Sequence, residues 1–327
     1  MENDEPKPWQ AWLARMQAHR GLRLLGSLAV AAVGIYALYV MAGHVTWSEV
    51  KADLQAVPGS VLAWAILAAT LSFASLGAYD VLSVNSMAPK RVPSWVSLLT
   101  GASGYAISNL LGASWLTGTA VRYRIYGRRG LDFAQVLAVL AVSWSAFWMA
   151  SLLILGALMV LHPAGLAAVL PLSGGAELGL GLAILLVLGG FLLWIGRGAR
   201  GFRLAGKTYN LPSLQLALAL MAVAVADLIF ASATLYILMP ATVTTSYAVL
   251  FVVFIAALTL GIISHTPAGV GVFEATIILG LGAVGRSDVL AGLVLFRLVY
   301  TVLPFVVAGL GLAVVWLVQH FRPAPKG

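Results

Sequence analysis

Long apolar runs separated by short polar loops dominate the chain. Six of the runs are long enough to cross a bilayer, since a membrane-spanning helix needs about 20 predominantly apolar residues. The six predicted spans cover residues 24–43, 59–78, 134–161, 178–195, 214–238 and 289–318. The pattern therefore predicts an all-α, polytopic membrane protein with one transmembrane domain over residues 24–319.

Two further apolar runs, residues 95–121 and 246–285, are interrupted by polar residues and glycines. The interrupting residues are Asn109, Gly112 and Gly118 in the first run and His265, Pro267, Gly269 and Gly271 in the second. Non-helical backbone at membrane depth is tolerated where protein or a water-filled cavity surrounds it. We predict two re-entrant hairpins whose tips lie inside the membrane.

The two predicted tips resemble each other. Ile107-Ser108-Asn109 in the first corresponds to Ile263-Ser264-His265 in the second, and glycines follow in both. Matched broken segments in two halves of opposite orientation are typical of inverted-repeat transporters with a site near the midplane. The sequence therefore predicts an inverted repeat.

Composition and charge support the membrane assignment. With 61% hydrophobic and 9% charged residues, the chain is too apolar for a soluble globular domain. The absence of cysteine excludes disulfides and thiolate metal sites. Most of the 19 Lys and Arg residues fall in alternate loops, as the positive-inside rule requires, rather than on a nucleic-acid-binding face. They predict cytoplasmic termini at 1–23 and 320–327, and hairpins of opposite orientation.

One short helix is predicted between the first two spans. Thr46 and Glu49 have capping-box spacing, and Trp47, Val50 and Leu54 recur at helical intervals before Pro58. An interfacial helix is the expected structure.

Three ionisable residues, Asp227, Glu274 and Arg297, fall inside apolar runs. Each costs about 2.5–3.5 kcal/mol at a helix centre, so such residues usually face a bundle interior or a wet cavity. They predict an interior polar site. An alternative is a structural ion pair between Glu274 and Arg297.

Arg122 and Arg124 follow the first tip directly. Guanidinium groups bind phosphate oxygens with paired hydrogen bonds, so both are candidates for a lipid phosphate, with positive-inside anchoring as the alternative. The carboxylates of Asp80, Asp227 and Glu274 are candidates for a cationic headgroup.

Tip residues have smaller predicted roles. His265 is a candidate proton relay or, alternatively, a helix cap, and Asn109 is expected to satisfy backbone groups freed at the break. Pro267 and the tip glycines are expected to set backbone shape. The chain has no Walker loop and no metal-ligand spacing, so we predict no catalytic residue, metal or cofactor.

Several stretches resemble a known family. They are GYAISNLLGASWLTGTAVRYRIYGRRG from Gly104, the Tyr79-Asp80 pair, SHTPAGVGVFEA from Ser264, DLIFASATLYILMP from Asp227 and FRLVYTVLP from Phe296. Together they resemble the transmembrane domain of bacterial lysylphosphatidylglycerol synthase/flippases, the multiple peptide resistance factor family. The resemblance extends from about Leu24 to Trp316.

That resemblance implies an inner-membrane flippase that moves anionic or aminoacylated phosphatidylglycerol between leaflets and lowers surface charge against cationic peptides. Family members that synthesise the lipid carry a soluble domain after the membrane part, whereas this sequence stops at Gly327. Aminoacyl transfer is therefore not expected, and the chain is interpreted as a stand-alone relative or a fragment. Open alternatives are a lipid-binding partner of a separate synthase and a small-solute or ion carrier. A further expected partner is a second copy of the chain, in a homo-oligomer.

Overall fold

The described part of the chain is almost entirely helical. A computed structural model describes residues 45–112, 114–162, 172–198, 201–204, 207–210, 212–243, 246–264 and 266–320. Its α-helices are α1 (Trp47–Ala56), α2 (Gly59–Met87), α3 (Ser94–Leu111), α4 (Ser114–Tyr126), α5 (Phe133–Leu161), α6 (Gly174–Gly196), α7 (Leu214–Leu238), α8 (Tyr247–Ile263), α9 (Val272–Gly280), α10 (Ser287–Phe296) and α11 (Leu303–His320). The predicted span at 24–43, the N-terminal segment 1–23 and His265 lie outside the described residues.

Within the described ranges, five helical segments are long and apolar enough to cross a membrane. They are Gly59–Met87, Phe133–Leu161, Gly174–Gly196, Leu214–Leu238 and Ser287–Val314. Each contains or largely overlaps one of the spans predicted from the sequence. The prediction of a helical, multi-pass membrane protein is thus confirmed for the described residues.

A two-stranded antiparallel hairpin corrects the all-α prediction in one loop. Strands β1 (Gly201–Leu204) and β2 (Lys207–Asn210) connect α6 to α7, with Phe202 paired to Tyr209. The backbone N–H and C=O groups of this polar loop must find partners, and pairing across the loop provides them. The correction leaves the helical class of the spans unchanged.

The predicted helix after the first span is confirmed. In α1, the Glu49 backbone N–H donates to Thr46 Oγ1 at 3.4 Å, and the Thr46 N–H donates to Glu49 Oε2 at 2.7 Å. This capping box fixes the first turn. Trp47 is 68% exposed, as expected of a side chain at an interface.

Helix α2 is central to the bundle. It packs along α7 on one side and α3 on another, while α5 contacts both α6 and α7. Small residues permit close approach between helices. At Gly181 of α6, for example, an added Cβ would lie 2.9 Å from the Gly156 carbonyl oxygen of α5.

Helix breaks occur at both predicted tips. Helix α3 ends at Leu111, and Gly112 follows with φ +72° before α4 begins. In the second, a 3₁₀ turn at Pro267–Gly269 separates α8 from α9, with Ala268 at φ +55° and Gly269 at φ +65°. The second turn packs against α3, so the two breaks lie near each other.

A π-helical segment, Arg297–Val302, joins α10 to α11. At its end, the Leu303 N–H donates to the Leu298 carbonyl, five residues earlier. Pro304 follows, and proline lacks an N–H and clashes with the carbonyl four residues before it. The wider turn accommodates this proline and places Arg297 and Tyr300 toward the interior.

Candidate functional site

A cavity of about 260 Å³ lies between the two helix breaks. Asn109 and Gly112 line it from the first break, and Thr266, Ala268 and Gly269 line it from the second. Its other polar or charged lining residues are Tyr79, Tyr105, Ser108, Ser143, Trp144, Asp227, Arg297, Tyr300 and Thr301. Apolar side chains from α2, α5, α7, α8 and α10 complete the walls. The lining is thus mostly apolar with a few polar groups, as is usual for ligand-binding pockets.

Asp80 and Arg122 form an ion pair that no solvent reaches. Both residues are 0% exposed, with Arg122 Nη2 2.8 Å from Asp80 Oδ1 and Nε 2.8 Å from Oδ2. The Tyr126 hydroxyl donates to Asp80 Oδ2 at 2.6 Å, and Arg122 Nη1 donates to the Gly118 carbonyl at 3.3 Å. The guanidinium also lies over the Tyr105 ring at 4.7 Å. This bidentate arrangement satisfies the charges on both side chains.

Glycines make room for this pair. A Cβ on Gly101 would lie 2.8 Å from Asp80 Cγ, and one on Gly104 would lie 2.8 Å from Arg122 Nη1. Gly118 is equally tight, since its Cβ would lie 3.0 Å from Ser108 Oγ. Gly118, which the sequence suggested as a break, is therefore a site of close side-chain packing.

The structure separates the roles expected of Asp80, Arg122 and Arg124. Asp80 and Arg122 partner each other, and neither lines the cavity. Arg124 points to the exposed surface and does not line the cavity. Its place matches the alternative interpretation of a surface anchor.

Glu274 and Arg297 form a second ion pair, which joins α9 to the π-helical segment. Arg297 Nε donates to Glu274 Oε1 at 2.5 Å, and the Gly271 N–H donates to Oε2 at 2.8 Å. Arg297 Nη1 donates to the Ala268 carbonyl at 2.7 Å. This confirms the predicted structural ion pair and shows that it also holds the second break.

One guanidinium nitrogen of Arg297 has no described hydrogen-bond partner. Its Nη2 is buried and has no hydrogen-bond partner among the described residues, although the residue lines the cavity. The Tyr79 hydroxyl, on another wall of the same cavity, is likewise buried without a described partner. Buried polar groups are nearly always hydrogen-bonded, so two unsatisfied donors beside one cavity indicate a place for an acceptor.

Asp227 is the third interior charge, and it has no cationic partner among the described residues. It is 5% exposed and lines the cavity. Ser72 Oγ donates to Asp227 Oδ1 at 2.5 Å and lies 2.7 Å from the Tyr300 hydroxyl. The carboxyl thus ends a chain of hydroxyls that links α2, α7 and the π-helical segment.

Hydroxyl groups cap the backbone at both breaks. Thr117 Oγ1 donates to the Gly112 carbonyl at 3.1 Å, and Ser264 Oγ donates to the Gly261 carbonyl at 2.7 Å. Thr117 thus caps the first break, and Asn109 lines the cavity. Pro267 begins the 3₁₀ turn and Gly271 caps α9 at φ +85°, in line with their expected roles in backbone shape.

Sequence reasoning missed the hydroxyl-bearing side chains of the site. Ser72, Tyr79, Tyr105, Tyr126 and Tyr300 each contact one of the interior charges or line the cavity. Tyrosines inside apolar spans were the available signal, because a phenol buried in a membrane needs a polar partner. Among the described residues, no group of three or more His, Asp or Glu side chains could hold a metal ion.

Comparison with known proteins places the chain in a family. Residues 24–308 match the family model described as the lysylphosphatidylglycerol synthase TM region. The chain is 30% identical over 281 residues to the uncharacterized protein slr0712 of Synechocystis sp. (strain ATCC 27184 / PCC 6803 / Kazusa), covering 85% of this chain and 87% of that protein. It is 28% identical over 284 residues to the inner membrane protein YbhN of Escherichia coli (strain K12), covering 84% and 86%. The chain belongs to the family of the lysylphosphatidylglycerol synthase transmembrane region.

Proposed function

We propose that the protein is a lipid flippase that moves phospholipid, aminoacylated or unmodified phosphatidylglycerol, between the leaflets of the bacterial inner membrane. Family membership supports a lipid-related role, and the name of the E. coli relative supports the inner membrane. The headgroup would pass through the cavity while the acyl chains stay in the surrounding lipid. The chain would act as a transporter and not as an aminoacyltransferase.

One observation carries the proposal: two buried donors without described partners belong to residues that line the cavity. Arg297 Nη2 and Tyr79 Oη are both buried without described partners. A phosphodiester offers several acceptor oxygens and a negative charge, which a guanidinium binds well. A phospholipid headgroup is therefore a ligand whose chemistry satisfies both groups.

Asp227 is the group best placed for a cationic headgroup. Asp80 and Glu274 already have arginine partners, whereas Asp227 lines the cavity without one among the described residues. In this division of roles, Arg297 binds the phosphate and Asp227 faces an aminoacyl ammonium. The proposal thus assigns the two headgroup charges to these two residues of the predicted set.

The lipid role is tested by neutralising the cavity ion pair as a unit. In the double variant Arg297→Gln/Glu274→Gln no buried charge is left uncompensated, so the protein should still fold. Loss of a charge-assisted hydrogen bond to phosphate should slow translocation about 10- to 100-fold. The measurement is quenching of fluorescent phosphatidylglycerol in the outer leaflet of proteoliposomes, with and without a lysyl group on the lipid.

The matched control is Arg286→Gln/Asp288→Asn. It removes another Arg–carboxylate pair, whose side chains are 34% and 33% exposed and lie outside the cavity lining. This variant should translocate lipid as the wild type does. Wild-type rates in the cavity variant, with the double substitution verified, would exclude the proposed site.

The proposed flippase has two re-entrant hairpins in an inverted repeat. Helices α3 and α4 with the break at Gly112 form one hairpin, and α8 and α9 with the break at 264–271 form the other. Both breaks line one cavity, which supports transport by alternating exposure of a fixed site. The termini would then be cytoplasmic.

Cysteine labelling tests this topology, because the sequence contains no cysteine of its own. Cysteines at Ser173 and Ser287 should react with an impermeant maleimide from the periplasm. Ser173 is the N-cap of α6 and Ser213 is the N-cap of α7. In the proposed topology these consecutive spans cross the membrane in opposite directions, so cysteine at Ser213 should react only after permeabilisation. Equal labelling of all three positions in intact cells would contradict the topology.

The family description also favours a second function, the membrane partner of a separate lipid synthase. In that case the cavity would hold a lipid for the enzyme without moving it. Translocation by the purified chain alone distinguishes the two functions, because a mere partner would bind the fluorescent lipid but leave its leaflet distribution unchanged.

A further inference from the structure

We propose that Asp227 carries a proton across the membrane during the transport cycle, so that lipid movement is coupled to a proton gradient. The inference rests on the proposed lipid transport and adds its energy source. Asp227 takes up a proton from water on one side, forming a carboxyl O–H bond, and releases it to water on the other side. No redox chemistry is involved.

The first argument is the lack of a counter-ion. The ion pairs of the described residues are Asp80–Arg122, Arg286–Asp288 and Glu274–Arg297, and Asp227 belongs to none of them. A buried carboxylate without a positive partner is costly, so the group becomes neutral or binds a cation. When the cavity holds no cationic headgroup, a bound proton neutralises the carboxylate in this proposal.

Hydroxyl partners satisfy both protonation states of Asp227. Ser72 Oγ donates to the carboxylate at 2.5 Å, and the contact between Ser72 and the Tyr300 hydroxyl at 2.7 Å can run in either direction. A hydroxyl is both donor and acceptor, so this chain can reverse when the carboxyl acquires its own proton. An arginine or lysine partner would instead bind only the ionised form.

Access to water is the third requirement, and in this proposal the cavity is the route. Asp227 lines the cavity together with Asn109 and Thr266 from the two breaks. If the hairpins alternate their exposure, the same carboxyl faces each aqueous side in turn. A proton bound on one side can then leave on the other.

No other group near Asp227 has a better claim to this role. The phenols of Tyr79, Tyr105 and Tyr300 face it from α2, α3 and the π-helical segment. Arg297 lines the same cavity but is paired with Glu274. The helices packed against α7 carry four further titratable groups: Asp80 of α2, Glu177 of α6, Tyr247 of α8 and Asp288 of α10. The Tyr247 hydroxyl is hydrogen-bonded to Ser232 and to the Ile229 carbonyl. Helix α5 lines the cavity with Ser143 and Trp144, neither of which titrates.

The test measures lipid distribution under an imposed pH difference. Proteoliposomes of phosphatidylethanolamine and phosphatidylglycerol contain fluorescent phosphatidylglycerol, and valinomycin with equal potassium holds the membrane potential at zero. If one proton accompanies each lipid, one pH unit should support up to about a tenfold ratio of label between leaflets. Protein-free vesicles provide the baseline.

Asp227→Asn fixes the side chain in a neutral form of the same shape. It should lose the pH-driven asymmetry, whereas Asp227→Glu, which keeps a titratable carboxyl, should retain it at least in part. Asp288→Asn removes a carboxylate outside the cavity and should behave as the wild type does. The melting temperature of each variant in detergent verifies folding.

The outcomes separate the two proposals. If the wild type moves lipid but its distribution ignores the pH difference, or if Asp227→Asn keeps the tenfold ratio, proton coupling is wrong and the flippase function stands. If the wild type moves no lipid at any pH, the flippase function itself fails. A pH-driven ratio that requires a carboxyl at residue 227 supports both.

Discussion

Two buried Arg–carboxylate pairs, one beside each helix break, serve different purposes. In the Asp80–Arg122 pair the side chains are 0% and 1% exposed, and Tyr126 and Gly118 take up further hydrogen-bonding positions. In the Glu274–Arg297 pair they are 12% and 20% exposed, and Arg297 Nη2 has no described partner. We call Asp80–Arg122 the closed pair, because its side chains are fully buried, and Glu274–Arg297 the open pair, because Arg297 lines the cavity. The two pairs therefore differ in unpaired donors and exposure rather than in charge.

The largest expected effect comes from breaking the closed pair. Asp80→Asn leaves the Arg122 guanidinium buried without a counter-charge, which should lower the free energy of unfolding by about 3–5 kcal/mol. Denaturation in mixed micelles measures the change. Asp288→Asn makes the same substitution in an exposed pair and should cost about 0–1 kcal/mol. Equal losses in the two variants would show that the burial of the Asp80 pair is irrelevant to stability.

Tyr126→Phe should have the next largest effect. It removes a hydroxyl that donates to Asp80 at 2.6 Å, and a hydrogen bond to a charged group contributes about 1.5–3 kcal/mol. The free energy of unfolding should fall by that amount while lipid translocation by the folded fraction stays normal. A translocation defect larger than the loss of folded protein would assign the closed pair a role in transport.

Gly104→Ala examines how tightly the closed pair is packed. The added methyl would lie 2.8 Å from Arg122 Nη1, and overpacking of this kind costs about 1–3 kcal/mol. Gly189→Ala is the control, because nothing lies within 4 Å of the position where its Cβ would be. There alanine should stabilise the helix by about 0.5–1 kcal/mol. A neutral Gly104→Ala variant would mean that the guanidinium moves aside freely.

The smallest stability effect is expected at the open pair. In Glu274→Gln the amide oxygen still accepts from Arg297, and that guanidinium keeps the Ala268 carbonyl and a 20% exposed surface. The amide nitrogen that replaces Oε2 cannot accept from the Gly271 N–H, so that hydrogen bond and the charge assistance are both lost, and the loss should be about 1–2 kcal/mol. Unfolding curves measured beside those of Asp80→Asn provide the comparison. A loss as large as that of Asp80→Asn would remove the distinction between the pairs.

The helices were predictable because their signals are local. Five spans follow from runs of apolar residues, and the helix breaks follow from the polar and glycine residues at 108–112 and 264–271. The β-hairpin at 201–210 was missed because its eight paired residues carry no alternating pattern strong enough to predict strands.

The partners of the interior charges were only partly predictable. The pair of Glu274 and Arg297 was one of the alternatives that the sequence left open. Asp80 and Arg122 are 42 residues apart, and their pairing depends on how α2, α3 and α4 pack. Helical spacing shows that Ser72 and Tyr79 share a helix with Asp80 but not which of them faces α7. That information exists only in the packed bundle.

Arg297 also holds the shape of the backbone. Ala268 adopts a left-handed conformation that non-glycine residues seldom take, and its carbonyl accepts from Arg297 Nη1. The other edge of the same guanidinium contacts Glu274, whose carboxylate caps α9. A ligand that shifts this single side chain therefore changes the conformation of the turn and the anchoring of the helix after it. Through Arg297, binding in the cavity would be coupled to the backbone conformation of the second helix break.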